Sequence, residues 1–166
     1  MSAEWLPYSV PLLRRIGVEA NAVRALGGRG LPTDTYQMFS RVPRRELGTR
    51  ELPACGVAAF LGQHEDGLNT YWVSVADGSV WILRGYDGGG QRVDRINSSV
   101  AGLQGVLAAW DEFIGSGVYE DDPTYDGLVA DAIDRARRAD QEAFEDEESW
   151  WSIVFEEVEN GVLAPE

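Results

Sequence analysis

The chain has 166 residues, of which 44% are hydrophobic and 25% are charged, values typical of one globular domain and not of a disordered chain. No apolar run reaches the ~18–20 residues that cross a bilayer, no secretory signal is recognisable, and the single cysteine, Cys55, is typical of a reducing compartment. We therefore expect a single domain over residues 1–166, located in the cytoplasm and without a membrane partner.

The formal net charge of −14 is concentrated in the last third of the chain. Residues 111–166 contain 18 acidic side chains and three arginines, whereas residues 1–60 have a net charge of +3. Such a field repels nucleic-acid phosphates and attracts basic proteins, whose approach it accelerates. The acidity predicts a basic protein partner and no direct nucleic-acid binding, although solubility alone is an equally good explanation.

The first 55 residues predict helices followed by irregular structure. Apolar residues spaced along one stripe indicate an amphipathic helix over residues 12–26, which Gly27 and Gly28 end. Pro32 and Thr33, placed before an apolar pair, predict a second, short helix over residues 31–39. Residues 40–55, rich in Arg, Pro and Gly, indicate a loop or an edge strand.

A compact β section follows. Alternating segments rich in branched and aromatic side chains predict strands, and Asp77-Gly78 is a strong signal for a hairpin turn. A second turn is predicted at residues 86–90, where the three glycines lack the lysine of a phosphate-binding loop. The predicted strands are residues 57–61, 70–75, 80–83 and 92–96.

The remainder of the chain is predicted to be helical. Asn97, Ser98 and Ser99 form a cluster of capping residues before a clear helical pattern at 100–114. A second helix is predicted from residue 125 to about residue 144. Residues 147–158 indicate a short helix, with a strand as the alternative. The predicted fold class is α+β, an antiparallel meander of about four to five strands flanked by N-terminal and C-terminal helices.

Catalytic and metal-binding residue types are scarce. A nucleophile needs a base, and the chain has one histidine, His64, in a polar turn. Cys55 follows a pattern typical of a small hydrophobic residue packed in the core. A zinc site needs several Cys or His ligands, and the acidic runs lack the residue spacing of a calcium-binding loop. We expect no catalytic residue, no metal and no cofactor, while a hydrolase using paired carboxylates stays open as an alternative.

The six tryptophans are unusual for a chain of this length. Trp72, Trp81 and Trp110 lie in strongly periodic segments and are predicted to be mainly core. Trp150 and Trp151 are adjacent, so a helix or a strand points them in different directions. The pair is interpreted either as an interface anchor with an acidic rim or as a staple between the C-terminal helix and the sheet.

The order of several short segments is similar to that of a known family. These segments are Gly30-Leu31-Pro32 with Phe39, a strand followed by Gly62, the Asp77-Gly78-Ser79-Val80 hairpin, Ile96-Asn97-Ser98-Ser99-Val100 before a long helix, Asp140-x-x-Ala143-Phe144, Ser149-Trp150-Trp151 and Glu156-Glu157. Over residues 25–161 the chain resembles the SUKH superfamily of bacterial immunity proteins, and most of all its fourth family. The aromatic segment Tyr71-Trp72-Val73 departs from the more aliphatic strand expected there.

The resemblance implies a non-enzymatic protein that binds and neutralises a cognate toxin of a polymorphic toxin system, often a nuclease or a deaminase. A regulatory or scaffold module of the same superfamily is the alternative. An acidic inhibitor fits a basic nucleic-acid enzyme, because it can occupy the cleft made for phosphates. The hypothesised partner-binding residues lie in the acidic third: Glu120, Asp121, Asp122, Glu145, Asp146, Glu147, Glu148 and Trp150.

Overall fold

The computed structural model describes residues 3–85 and 90–161. Its helices are α1 (Val10–Ile16), α2 (Ala20–Gly27), α3 (Val100–Gly115), α4 (Tyr125–Ala139) and α5 (Trp150–Glu159), with 3-10 turns at Pro43–Arg45 and Gln141–Phe144. Its strands are β1 (Trp5–Leu6), β2 (Leu31–Pro32), β3 (Asp34–Thr35), β4 (Phe39–Ser40), β5 (Thr49–Leu52), β6 (Gly56–Gln63), β7 (Thr70–Ser74), β8 (Val80–Gly85) and β9 (Gln91–Asn97).

The main sheet is antiparallel and has seven strands in the order β3-β4-β6-β7-β8-β9, with β5 paired to β6. The long strand β6 holds β5 along its first half and β4 at its end, where Gln63 pairs with Ser40. In a flat sheet, β5 and β9 would lie roughly 19 Å apart at the usual strand spacing. Arg50 Nη2 nevertheless donates to Gln91 Oε1 at 3.4 Å, so the sheet is strongly curled.

Because side chains alternate along each strand, the two faces of the curled sheet contribute to two separate hydrophobic cores. On one face, residues such as Leu61, Tyr71 and Ile82 pack against the helices in the larger core. On the other face, Phe60 and Trp72 belong to a smaller core, and their rings meet edge to face with centroids 5.4 Å apart. The helices therefore cover a single face of the sheet.

The predicted α+β class and the antiparallel meander are confirmed. The strands β6 to β9 pair in sequence order, and β5 is an edge strand within the segment 40–55. The segment predicted at residues 147–158 forms α5 from Trp150 onward, so the helix is confirmed and the strand alternative is wrong. The predicted turn at residues 86–90 lies largely outside the described residues. Trp72 and Trp110 are buried, whereas Trp81 is partly exposed.

Three predicted helices differ from the structure. The helix over residues 12–26 is divided into α1 and α2 because Gly17 takes a left-handed conformation with φ +91° and its N–H caps α1. The helix predicted at residues 31–39 is absent from the described structure. Leu31 and Pro32 pair with β1 instead, and Gln37, with φ +61°, reverses the chain between β3 and β4. The helix predicted to reach residue 144 ends at Ala139, because Asp140 is extended.

Within the residues that the structure describes, no helix is long and apolar enough to span a membrane.

Gly62 is a site where β6 approaches β4 closely. A Cβ atom there would lie 2.5 Å from the Phe39 ring and 2.6 Å from the Ser40 carbonyl oxygen. We expect Gly62→Ala to lower the free energy of unfolding by about 1–3 kcal/mol through overpacking. Gly127→Ala is the matched control, since α4 has open space there and the change should stabilise the helix by about 0.5–1 kcal/mol. Urea unfolding measures both, and equal effects would contradict the steric argument.

Candidate partner-binding surface

The C-terminal third of the chain is built around α4 and α5. Val129, Ala132 and Ala136 form the buried stripe of α4. Asp122 organises the entry to α4, because its Oδ1 accepts from the backbone N–H and the hydroxyl of Thr124 at 2.8 and 2.7 Å. These two hydrogen bonds, the backbone bond first, lower the pKa of the Asp122 carboxyl. Ser149 caps α5 by accepting from the Ser152 N–H.

A buried carboxylate fixes α4 and α5 to the rest of the molecule. Asp140 follows α4 and is 5% exposed. Its Oδ2 accepts from Asn97 Nδ2 at 3.0 Å and from the Ser98 N–H at 2.9 Å, and its Oδ1 accepts from the Ser98 hydroxyl at 2.9 Å. Asn97 Oδ1 in turn accepts from the Trp151 Nε1–H at 2.8 Å. These four side chains, which we term the Asp140 network, join the end of β9, the end of α4 and the start of α5.

The Asp140 network lies against the first turn of α3. A Cβ atom on Gly102 would come within 2.5 Å of Asp140 Oδ2, so glycine is needed there for the carboxylate to approach. The N-terminus of a helix carries partial positive charge, which favours a carboxylate at this position. The predicted capping cluster is confirmed in one part: Ser99 caps α3 by accepting from the Gly102 N–H at 3.0 Å, whereas Asn97 and Ser98 bind Asp140.

The two adjacent tryptophans have different environments. Trp151 is fully buried, stacks on Tyr71 with ring centroids 6.1 Å apart and donates to Asn97, so it fastens α5 to the sheet. Trp150 is partly exposed. Its ring meets His64 edge to face at 5.3 Å, and the Arg84 guanidinium carbon lies 5.3 Å from the ring centroid. Trp151 is therefore core, and Trp150 keeps an accessible side.

The seven predicted acidic residues are all exposed. Within residues 3–85 and 90–161, none of them forms an ion pair with an Arg or His side chain. They do not form one cluster. Residues 120–122 precede α4, and Glu120 lies beside Gly161 at the end of α5, whereas residues 145–148 precede the start of α5. A ten-residue helix is about 15 Å long, so the two groups flank opposite ends of α5.

Between these two groups lies a groove of about 360 Å³, bounded by α4, the second 3-10 turn and α5. Its apolar lining consists of Ile133, Phe144 and Phe155. Its polar lining consists of Ser152, Arg137 and three carboxylates, Glu147, Glu156 and Glu159. We term this the α4–α5 groove. Glu147 is among the predicted site residues. Glu156 and Glu159 are not among them, although their i, i+3 spacing on α5 could have indicated that they share one face.

A second groove, of about 270 Å³, lies on the other side of residues 145–148 and has mixed charge. Trp150, Asp146 and Glu148 line one side of it. The strands β8 and β9 supply arginines on the other side: Arg84, Arg92 and Arg95. Arg84 and Arg92 both pair with Asp94, at 3.2 and 2.9 Å. The lining of this groove also includes Asp94 and Glu142, so four carboxylates and three arginines give a net charge of −1, one charge less negative than the α4–α5 groove. We term this second groove the Trp150 groove.

A pocket near the end of α3 is lined by acids but does not bring buried carboxylates together. It measures about 530 Å³, and its acidic lining residues are Asp34, Glu65 and Asp111. Asp111 is buried and accepts from the Ala3 N–H at 2.7 Å, whereas Asp34 and Glu65 are exposed. Among the described residues, no group of three or more His, Cys, Asp or Glu side chains is arranged to hold a metal ion.

Comparison with known proteins assigns the family. The family model described as "SUKH-4 immunity protein" matches residues 11–157. The chain belongs to the SUKH-4 immunity protein family. No curated protein and no solved structure matches the chain significantly.

The family assignment confirms the resemblance found in the sequence. Four residues of the segments that carry this resemblance have a structural role in the protein. Asn97, Ser98, Asp140 and Trp151 all stand in the segments on which that resemblance rests, and all four belong to the Asp140 network. In this SUKH-4 protein, these residues therefore hold the C-terminal helices in place, whereas the seven acids predicted as site residues are exposed.

We expect Asp140→Ala to lower the free energy of unfolding by about 3–5 kcal/mol. The substitution leaves the buried donors of Asn97 and Ser98 without their acceptor, and losing one partner of a buried polar group is costly. Glu145→Gln is the control, because Glu145 is exposed and a surface change of this kind costs within ~0.5 kcal/mol. Urea unfolding with a near-ultraviolet tryptophan signal measures both, and a loss below about 1 kcal/mol for Asp140→Ala would contradict this role.

His64 makes the stability depend on pH. Burial lowers the pKa of His64 below its ordinary value of 6.5, against the opposing effect of Asp66, Glu65 and Glu157. The unfolded chain therefore takes up this proton at a higher pH than the folded chain. As pH falls through about 6.5, we expect the free energy of unfolding to decrease more in the wild type than in His64→Gln. Urea unfolding at pH 7.5 and 5.5 tests this, and identical pH dependences would contradict it.

Proposed function

We propose that this SUKH-4 protein binds a cognate toxin of a polymorphic toxin system and blocks its activity, in the cytoplasm of the bacterium that makes both. Family membership supports the immunity role. The choice of surface rests on one observation: the acids at both ends of α5 are exposed, and none of them belongs to an ion pair among the described residues. The docking surface is therefore the face formed by α4, α5 and their flanking turns, with Trp150 at its edge.

The proposed partner is a basic toxin domain, a nuclease or a deaminase that acts on nucleic acid. Such domains carry cationic surfaces because they bind phosphates. The net charge of −15 over residues 111–166 complements a surface of that kind and accelerates association, which an immunity protein needs in order to intercept a toxin. The proposed inhibition is by occupancy: the acidic face covers the cationic surface that would otherwise bind nucleic acid.

The proposed mode of action is binding without chemistry. The acids of this surface lie on an open face and not in an enclosed cavity, and the pocket near the end of α3 contains one buried carboxylate instead of a close pair. Paired catalytic carboxylates need environments that separate their pKa values. An exposed acidic face instead provides long-range attraction and polar contacts at an interface rim.

We expect charge reversal on this face to weaken toxin neutralisation. The variants are Glu120→Arg/Asp121→Arg and Glu145→Arg/Glu147→Arg. They leave unchanged Asp122 and Asp146, whose carboxylates accept backbone N–H groups in the turns before α4 and α5. Each should raise the Kd for the toxin domain encoded beside this gene at least tenfold at 0.15 M salt, because attraction becomes repulsion. Calorimetry with a catalytically inactive toxin domain and growth rescue against the active toxin provide the readouts.

The matched control for these variants is Glu4→Arg/Glu51→Arg, which changes the net charge equally but lies in the N-terminal third at two exposed positions. It should alter the Kd less than threefold. Wild-type affinity should also fall as salt rises, because added ions screen the attraction. Undiminished neutralisation by both acidic-face variants would show that the toxin docks elsewhere, and failure of the wild type to bind the neighbouring toxin would remove the immunity proposal itself.

A further inference from the structure

The α4–α5 groove differs from the rest of the acidic face because it combines an apolar lining with carboxylates. Phe155 is buried at its base, and Ile133 and Phe144 are partly buried beside it. Glu156 and Glu159 are exposed on α5, and Glu147 is exposed on the turn before α5. The three carboxylates outnumber the one arginine of the lining, Arg137.

A groove with both an apolar lining and carboxylates favours a long cationic side chain. Arginine and lysine have an apolar stem that packs on hydrophobic surface and a cationic head that stays in a polar environment. Arginine fits better, because its planar guanidinium binds carboxylates through two parallel hydrogen bonds and stacks on aromatic rings. A carboxylate-bearing or phosphate-bearing group would be repelled by the three glutamates, and a purely apolar group would leave them without a partner.

The two grooves on either side of residues 145–148 are distinguished by their charge. The Trp150 groove contains three arginines and four carboxylates, a net charge of −1, and its arginines are paired with Asp94 and Glu142. The α4–α5 groove has a net charge of −2 among its lining residues. The α4–α5 groove is therefore the more negative of the two, and it has one arginine where the Trp150 groove has three.

We propose that the α4–α5 groove is the specificity pocket of the toxin interface and receives an arginine-bearing segment of the toxin. The arginine stem packs on Ile133 and Phe144, and its guanidinium binds the carboxylates of Glu156 and Glu159. This inference rests on the proposed immunity function and adds to it the place and the chemical class of the contact. It also assigns a role to Glu156 and Glu159, which lie between the two groups of acids predicted from the sequence.

Two variants of the groove test the inference with the inactive toxin domain encoded beside this gene as the probe. Glu156→Arg/Glu159→Arg should raise its Kd at least tenfold, and Glu4→Arg/Glu51→Arg, with the same charge change, should raise it less than threefold. Ile133→Ser leaves the charges unchanged and should raise the Kd three- to tenfold without changing its dependence on salt. Urea unfolding checks that each variant is folded at the temperature of the binding measurement.

A second measurement does not depend on the toxin. Titration of the ¹⁵N-labelled protein with the peptide acetyl-Arg-Leu-Arg-amide should shift the backbone amide signals of Phe144, Ser152 and Glu156. The Glu156→Arg/Glu159→Arg variant should abolish these shifts, and acetyl-Glu-Leu-Glu-amide should cause none. Shifts spread evenly over all acidic segments would overturn the assignment of a specific pocket.

The outcomes separate the two proposals. If the wild type binds the toxin and both groove variants bind it equally well, the groove inference is wrong and the immunity proposal stands. If the wild type does not bind the toxin, the immunity proposal fails, and the peptide titration then decides whether the groove recognises arginine. Loss of binding in the groove variants, with the control unaffected, supports both.

Discussion

The buried carboxylate of Asp140 connects the parts of the molecule that lie far apart in the chain. It ends α4, accepts from Asn97 and Ser98 where β9 leads into α3, and reaches Trp151 of α5 through Asn97. A carboxylate with so little exposure is tolerated because three donors surround it and the start of α3 favours its charge. The acidic face carried by α4 and α5 therefore has a fixed position relative to the sheet, which a docking surface requires.

Local sequence patterns predict the meander and α3 because their signals are contained in short windows. Three such signals are the alternation of apolar and polar residues in the strands, the Asp77-Gly78 turn, and the helical spacing of apolar residues after Ser99. The helix expected at residues 31–39 is wrong for the opposite reason. Leu31 and Pro32 pair with Trp5 and Leu6, a partner distant in the chain that outweighs the local helix signal, since tertiary pairing overrides weak propensity.

The candidate surface is predictable in its charge and not in its shape. The excess of acids in the last third follows from counting residues, and solvation alone predicts that such runs are exposed. The α4–α5 groove is different, because its lining comes from two helices and a 3-10 turn whose packing depends on the end of α4 at Ala139. The role of Asn97 could not be predicted for a related reason: its partner Asp140 follows a helix boundary that the sequence pattern places too late.

The curl of the sheet limits how any partner can attach to this protein. Exposed sheet edges recruit extended chains through their backbone groups, which leads either to strand addition or to aggregation. The side chains of Arg50 and Gln91 bridge the outer strands β5 and β9, so an incoming strand would first have to separate them. The docking proposed for the helical face avoids this step, because it uses side chains and leaves the backbone hydrogen bonds of the sheet in place.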